Sequence, residues 1–347
     1  MLSKIERLFK SYSFDGNIIM KKLLSLLALL TTMHIFAAEP VKLYDQQETK
    51  QLLGYDPRIT LLEETDKSVV KSGRKTVYLH GFGASKRAAK LLKGCYGTQR
   101  LPGDIITFDF ADANNNGMDL SQSSLGQWND IKTALYVLKK LHDAGETEIG
   151  INAHSRGGAT AINMVAVLTD TKGKYNTRLS ELGIDDTTRT AILTMLQRGH
   201  IVLECPLVSV SKVIQHHIKQ TSTSLLGNWI TNLFSSLSAG SAKSANYAAP
   251  LVLRKYRAWE EQAIDSVDTW NNANIPTIVH FQEYDEVLGN DMDMEFFTKL
   301  QRSNGYTHTY LHKGRDFGHN SSLESFDRER NLFLKLYGAS YDRESVK

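Results

Sequence analysis

Six short runs rich in apolar residues recur along this chain with helical stretches between them, and no other feature limits its fold as strongly. They are TVYLH (Thr76 to His80), DIITFDF (Asp104 to Phe110), EIGINAH (Glu148 to His154), HIVLECP (His200 to Pro206), PTIVHF (Pro276 to Phe281) and THTYLH (Thr307 to His312). Strands alternating with helices require crossover connections, and those build β-α-β units around a mainly parallel sheet. The connecting segments carry helix signals of their own. In SKRAAKLLKG, Ser85 is a plausible N-cap and Gly94 a stop; from Ser124 to Ala144 the residues Trp128, Ile131, Leu135, Leu138 and Leu141 fall on one face before Gly145. A C-terminal helix is expected over Ser321 to Leu336, and RITLLEETD (Arg58 to Asp66) reads as an N-terminal antiparallel strand. Between Val208 and Asn274 the spacing exceeds a simple connection and reads as an insertion, about 208–260, over the sheet edge.

Charge excludes one class of partner. The 347 residues hold 41 Lys plus Arg against 38 Asp plus Glu. Five of the cations (Lys4, Arg7, Lys10, Lys21, Lys22) and two of the acids (Glu6, Asp15) fall within residues 1–38, so subtraction leaves 36 of each sign in the body. A neutral body has no charge-driven reason to bind nucleic acid. The leader has a layout of its own, with basic residues after Met20, an apolar stretch from Leu23 to Leu30 trailing on to Phe36, then Ala37 and Ala38. Those are the three parts of a secretory signal peptide, so export to the periplasm or beyond is expected, with Met20 as the start. Thr31, Thr32 and His34 break the stretch well short of the ~20 residues of a spanning helix. The two cysteines, Cys95 and Cys205, are read equally well as separate thiols or as a pair, which an exported protein permits.

The chemistry concentrates in a few places. In AHSRGG (Ala153 to Gly158) a serine directly follows an apolar strand and precedes small residues and a helical stretch, Ala159 to Leu168. Such a sharp strand-turn-helix lifts the Ser155 hydroxyl clear of the sheet, and small residues at Ala153 and Gly157 let strand and helix approach. The helix N-terminus favours negative charge developing there. HGFGAS (His80 to Ser85) ends an earlier strand with glycines that let a backbone amide point at an oxyanion; Phe82 is the candidate, with the amide of Arg156.

On these motifs the chain resembles the α/β-hydrolase superfamily over roughly residues 75–337. The resemblance implies an α/β-hydrolase fold, a mainly parallel central sheet with helices on both faces and a cap or lid insertion, in a domain covering residues 39–347 after the leader. It also implies the chain order nucleophile, acid, histidine. Asp285, in QEYDEVLG after the fifth run, matches the acid position, with Glu283 and Glu286 as rivals. His319, in GRDFGHNSS after the last run, matches the base, with His312 as its competitor. His154 is expected to be structural or to line the pocket, and His80 to support the turn. A serine hydrolase acting on a carboxylic ester is the implied activity, with no cofactor. A peptidase or thioesterase on the same residues, and a non-catalytic binding module on the same fold, are the alternatives.

Two further patterns bear on ligands. DANNNGMD (Asp112 to Asp119) begins like a calcium loop but closes on Ser123 in place of a bidentate glutamate, so it reads as a polar loop at the rim of the site. His216 and His217 are adjacent and lack the spacing of a ligand set, so no metal is expected. In the insertion, SLLGNWITNLFSSL sets Leu225, Leu226, Trp229, Ile230, Leu233, Phe234 and Leu237 on one helical face. Such a face either packs on the sheet or meets an acyl chain or a lipid surface.

Overall fold

A computed structural model of the chain describes residues 45–63, 75–92, 103–114, 117–118, 124–210, 212–213, 263–282, 285, 287–289, 307–312 and 319. All belong to one compact unit, Leu43–Lys347. Its sheet has seven strands: β1 Thr60–Leu62, β2 Lys75–Leu79, β3 Asp104–Thr107, β6 Gly150–His154, β7 His200–Glu204, β8 Thr277–Gln282 and β9 Thr307–His312. The two-residue strands β4 (Ala113–Asn114) and β5 (Gly117–Met118) pair only with each other. The order across the sheet is β1-β3-β2-β6-β7-β8-β9. Every neighbouring pair is parallel except β1 with β3. The α/β class read from the alternation is thus the observed one, with RITLLEETD supplying the antiparallel edge.

Strands β6, β7 and β8 are buried along their whole length, as a parallel sheet covered on its faces requires. They are less apolar than such strands usually are. His154 lies opposite Glu204, and Glu204 opposite His280, so a buried polar row crosses three strands near their C-terminal ends. Within it the Asn152 side-chain amide donates to Glu204 Oε1 at 2.9 Å.

Helix α1 (Gln46–Leu53) precedes β1, and a short helical segment running through α2 (Ala89–Leu92) follows β2. The Ser85 hydroxyl caps that segment by accepting from Arg87 N. Helix α3 (Trp128–Asp143) buries Ile131, Leu135, Leu138 and Leu141. Its predicted start at Ser124 moves to Trp128 for a local reason. The Ser124 and Gln127 side chains tie the preceding residues into a turn, Gln127 Oε1 accepting from Leu125 N at 2.8 Å, and Gly126 in that turn has φ 92. Helix α4 (Arg156–Leu168) begins immediately at the Ser155 turn, three residues before the stretch the sequence marks, and is buried almost throughout. The sequence reading leaves 169–199 unassigned; the structure places α5 (Asn176–Ser180) and α6 (Asp186–Arg198) there, α6 capped by the Asp185 carboxylate on Thr188 N. Helix α7 (Val267–Asn272) is the last helix among the described residues. Helices α3, α4 and α6 pack on one another, and α4 also packs on α7, β2 and β6. Burial of that many Leu and Ile side chains, each about 1.5–3 kcal/mol, dominates the stability of the unit.

The leader (1–38), Cys95, the apolar helical face at 225–237 and the helix expected at 321–336 lie outside the described residues; of the insertion at 208–260 only residues 208–210 and 212–213 lie within them.

The connections leave β2 in opposite directions. The chain passes from β2 to β3 on one side, then returns to pair β6 on the other. In an open parallel sheet, ligands bind outside the carboxyl ends of the strands at such a reversal. HGFGAS follows β2 and Ser155 follows β6, so both motifs border that crevice.

Candidate active site

Ser155 has φ 52 and ψ −114. Few non-glycine residues adopt such a backbone, and the strain persists only where surrounding structure enforces it. Enforcement is visible on every side. Ser155 N donates to Glu204 O at 2.9 Å, and Ser155 O accepts from Gly158 N and Leu207 N. A methyl on Gly157 would run into the Leu79 carbonyl of β2, and one on Gly158 would lie 2.6 Å from Pro206 Cβ. The small residues after the serine are therefore what lets α4 turn back over the sheet. Arg156 and Gly157 open α4, where N–H groups have no intrahelical acceptor.

On the β2 side, a methyl on Gly81 would lie 3.3 Å from Ser155 Cβ and 2.8 Å from His154 Nδ1. The glycine thus brings the Gly81–Phe82 backbone against the serine turn. His80 supports this loop. Its Nδ1 donates to Gly81 O at 2.8 Å, and its Nε2 accepts from Phe110 N at 3.3 Å, joining the loop to the segment after β3. Burial, aided by the Arg156 charge, pushes its pKa down to about 3. It is a neutral structural histidine.

Asp285 and His319, 34 residues apart, are brought together: Asp285 Oδ2 lies 2.8 Å from His319 Nδ1. Both are buried, and the other carboxylate oxygen accepts from Val287 N and Leu288 N at 2.9 and 2.7 Å. Burial alone would raise the Asp285 pKa, but the His319 charge and these hydrogen bonds hold it below the ordinary carboxylate value. An ionised carboxylate beside Nδ1 makes Nδ1 the donor and leaves Nε2 of the neutral ring as an acceptor. Glu283 and Glu286 lie outside the described residues, and His312 ends β9 within the strand.

His154 is more than a filler beside the serine. Its Nε2 lies 3.1 Å from the His319 carbonyl oxygen, and the two rings are 4.9 Å apart. A carbonyl only accepts, so the His154 proton sits on Nε2. Burial and then the His319 charge push the His154 pKa down to about 3, which keeps that tautomer neutral.

The Arg156 side chain has a separate role. It is fully buried, with Nη1 2.5 Å from Asp112 Oδ2 and 3.2 Å from Ser124 O, and Nε 3.8 Å from Asp130 Oδ2. Its guanidinium lies 4.4 Å from the Phe110 ring centroid and 5.6 Å from that of Phe82. Burial, with the Asp112 charge acting the same way, pushes the Asp130 pKa up to about 6 against the pull of Arg156. Asp112 therefore turns inward, where the sequence places it in a polar rim loop.

Cys205 follows β7 as Ser155 follows β6, also at positive φ (42), and carries a thiol outside any disulfide. Its sulfur, an Asp285 carboxylate oxygen and a His319 ring nitrogen all lie within 4.8 Å of one another. The sequence names Cys205 only as a separate thiol or half of a pair, and its place beside Asp285 and His319, the His154 contact and the Arg156 ion cluster are missed there. One signal was available for the cysteine, since Ser155, Cys205 and Asp285 each fall within three residues of a strand's C-terminal end.

No family model matches the sequence, and no curated protein does. Solved structures align with the chain at low identity. An esterase from Exiguobacterium antarcticum is 12% identical with a TM-score of 0.44, covering 81% of this chain and 95% of its own. A Pyrococcus furiosus esterase is 16% identical with a TM-score of 0.46, the coverages being 83% and 94%. A lipase-esterase related protein from Clostridium acetobutylicum is 10% identical with a TM-score of 0.44, the coverages being 80% and 99%. On the evidence of its own parallel strand order, its antiparallel edge and the strained serine turn between β6 and α4, this chain has the α/β-hydrolase fold.

Proposed function

We propose that this protein is an exported serine hydrolase that cleaves a carboxylic ester through an acyl-enzyme on Ser155. The observation that carries the reading is the strained Ser155 backbone at the head of α4, on the same sheet edge as the bonded pair Asp285 and His319. In this reading His319 Nε2 takes the Ser155 hydroxyl proton as the oxygen attacks the ester carbonyl. Asp285 fixes the ring tautomer and stabilises the imidazolium. The amides of Phe82 and Arg156 receive the oxyanion, and the α4 N-terminus favours its charge. His319 then protonates the departing alcohol, and a water activated by the same nitrogen releases the acid. No cofactor enters the scheme.

The substrate in this reading is a small-molecule ester, with a lipid-like acyl group as one candidate for its acid half. The leader pattern after Met20 supports export.

Covalent labelling of the purified protein by a fluorophosphonate, located by peptide mass spectrometry, tests the reading. Label on Ser155 that disappears in Ser155→Ala is expected, with ester turnover lost in the same variant. Hydrolysis of a short-to-long acyl series would define the acyl preference; labelling without turnover of any ester would replace the ester with an amide or thioester. A folded protein that takes no label would overturn the nucleophile assignment and leave a binding module.

A further inference from the structure

Three buried groups from three strand ends converge on one point: the Cys205 thiol after β7, the Asp285 carboxylate after β8 and the His319 imidazole after β9. Their ligating atoms all lie within 4.8 Å of one another. We infer that these three side chains form a site for a thiophilic divalent cation, of which zinc is the type, and that filling it switches off His319 as a base.

The donor set suits such an ion. Zinc takes sulfur at about 2.3 Å and nitrogen or oxygen at about 2.0–2.2 Å, so its tetrahedral ligands stand roughly 3.5 Å apart; the widest separation closes by on the order of 1 Å, and with Nδ1 as the ligand the 2.8 Å contact between Asp285 and His319 opens as the metal replaces the shared proton. One thiolate and one carboxylate balance the +2 charge, and the imidazole binds as the neutral ring. Thiolate favours zinc over magnesium or calcium. Cys205 is 0% exposed, Asp285 1% and His319 5%, so an ion there would be screened little by solvent.

Inhibition follows from proton positions. On binding, the Cys205 thiol loses its proton to solvent and no redox change occurs. If the metal takes His319 Nδ1, the ring proton moves to Nε2. If it takes Nε2, that lone pair is occupied directly. In both cases the lone pair that would accept the Ser155 proton is gone. The binding half rests on the three-group geometry alone; the inhibition half also rests on the hydrolase reading.

The two halves are tested together on the full-length protein. Titration with cobalt(II) is expected to produce a thiolate-to-cobalt charge-transfer band in the near ultraviolet, saturating at one equivalent and displaced by zinc. C205S should abolish the band, and D285N should weaken zinc binding by about tenfold or more. S155A, which contributes no ligand, and C95S should keep the band. Ester turnover of the wild-type protein should fall in step with occupancy and return on chelation. A band that survives in C205S, no band in the folded wild type, or turnover unaffected at saturating metal would overturn the inference. If the protein proves to have no ester turnover at all, the cobalt band and its loss in C205S still decide the site.

Discussion

At the scale of single residues, the site depends on side chains that position others. His154 occupies the position next to the serine, yet its hydrogen bond reaches a carbonyl 165 residues further on, that of His319. Removing the donor takes a hydrogen bond from the buried His319 backbone and lets its ring drift. Displacements of about 1 Å can cost on the order of 100-fold in rate. We therefore expect His154→Phe to lower kcat about 10- to 100-fold with little change in KM, and His154→Gln, whose amide N–H stands near the place of Nε2, to recover most of the loss. Equal effects of the two variants, or a change confined to KM, would refute the positioning role. Residues at this scale differ in how far the sequence announces them. Ser155 is legible because its neighbours, Gly157 and Gly158, are dictated by local clearance against Leu79 and Pro206. Asp285 and His319 are named through chain order alone. The thiol of Cys205 and the reach of His154 arise from contacts between strand ends far apart in sequence, and no local pattern encodes those.

At the scale of elements, the alternation of apolar runs predicts the six parallel strands to within a few residues, because a strand buried on both faces leaves a compositional trace. What it does not reveal is the polar row His154, Glu204 and His280, whose members look like isolated exceptions until register sets them side by side. The head of α4 is held in a similar way by charge. Arg156, Asp112 and Asp130 join the helix to the segments before and after β4 and β5, all three being buried. Breaking a buried pair strands a charge and typically costs about 3–5 kcal/mol, whereas replacing both partners by apolar groups costs far less. Asp112→Leu alone is thus expected to destabilise the protein by that amount in urea titrations, and the double variant with Arg156→Met by clearly less when all variants are made in an Asp130→Asn background, so that no buried carboxylate loses its cation. Additive losses in the double-mutant cycle would show that the pair contributes no specific coupling.

At the scale of the whole molecule, buried titratable groups set the response to acid. His80 and His154 have folded pKa values of about 3, depressed from an unfolded value near 6.5. The unfolded chain therefore binds two more protons than the native one between those limits, and stability is lost as pH falls through that window. Asp130 acts in the opposite sense. Its folded value of about 6 exceeds the unfolded value near 3.9, so the native state holds one extra proton there and loses stability as pH rises through it. From these three groups, a net of one proton is bound on unfolding between about pH 4 and 6, or about 1.4 kcal/mol of stability per pH unit. Urea midpoints measured across that range are expected to fall toward acid with this slope, and His154→Gln to flatten it. A wild-type slope of the opposite sign would place the histidine and aspartate shifts in error.

The strand order has a kinetic consequence as well. Because β2 pairs with β3 on one side and with β6 on the other, Thr76 must find Gly150 before the centre of the sheet exists, and no hairpin shortens that search. Chains dominated by such distant parallel pairings fold slowly and expose their strand edges while they do so. Residues from position 81 to position 319 meet over the finished sheet, so the site can be completed only after the last strand has joined. On the hydrolase reading, recovery of ester turnover during refolding would then be a late clock, trailing the return of helical signal, and a protease added in the interval would cut chains that already contain most of their secondary structure.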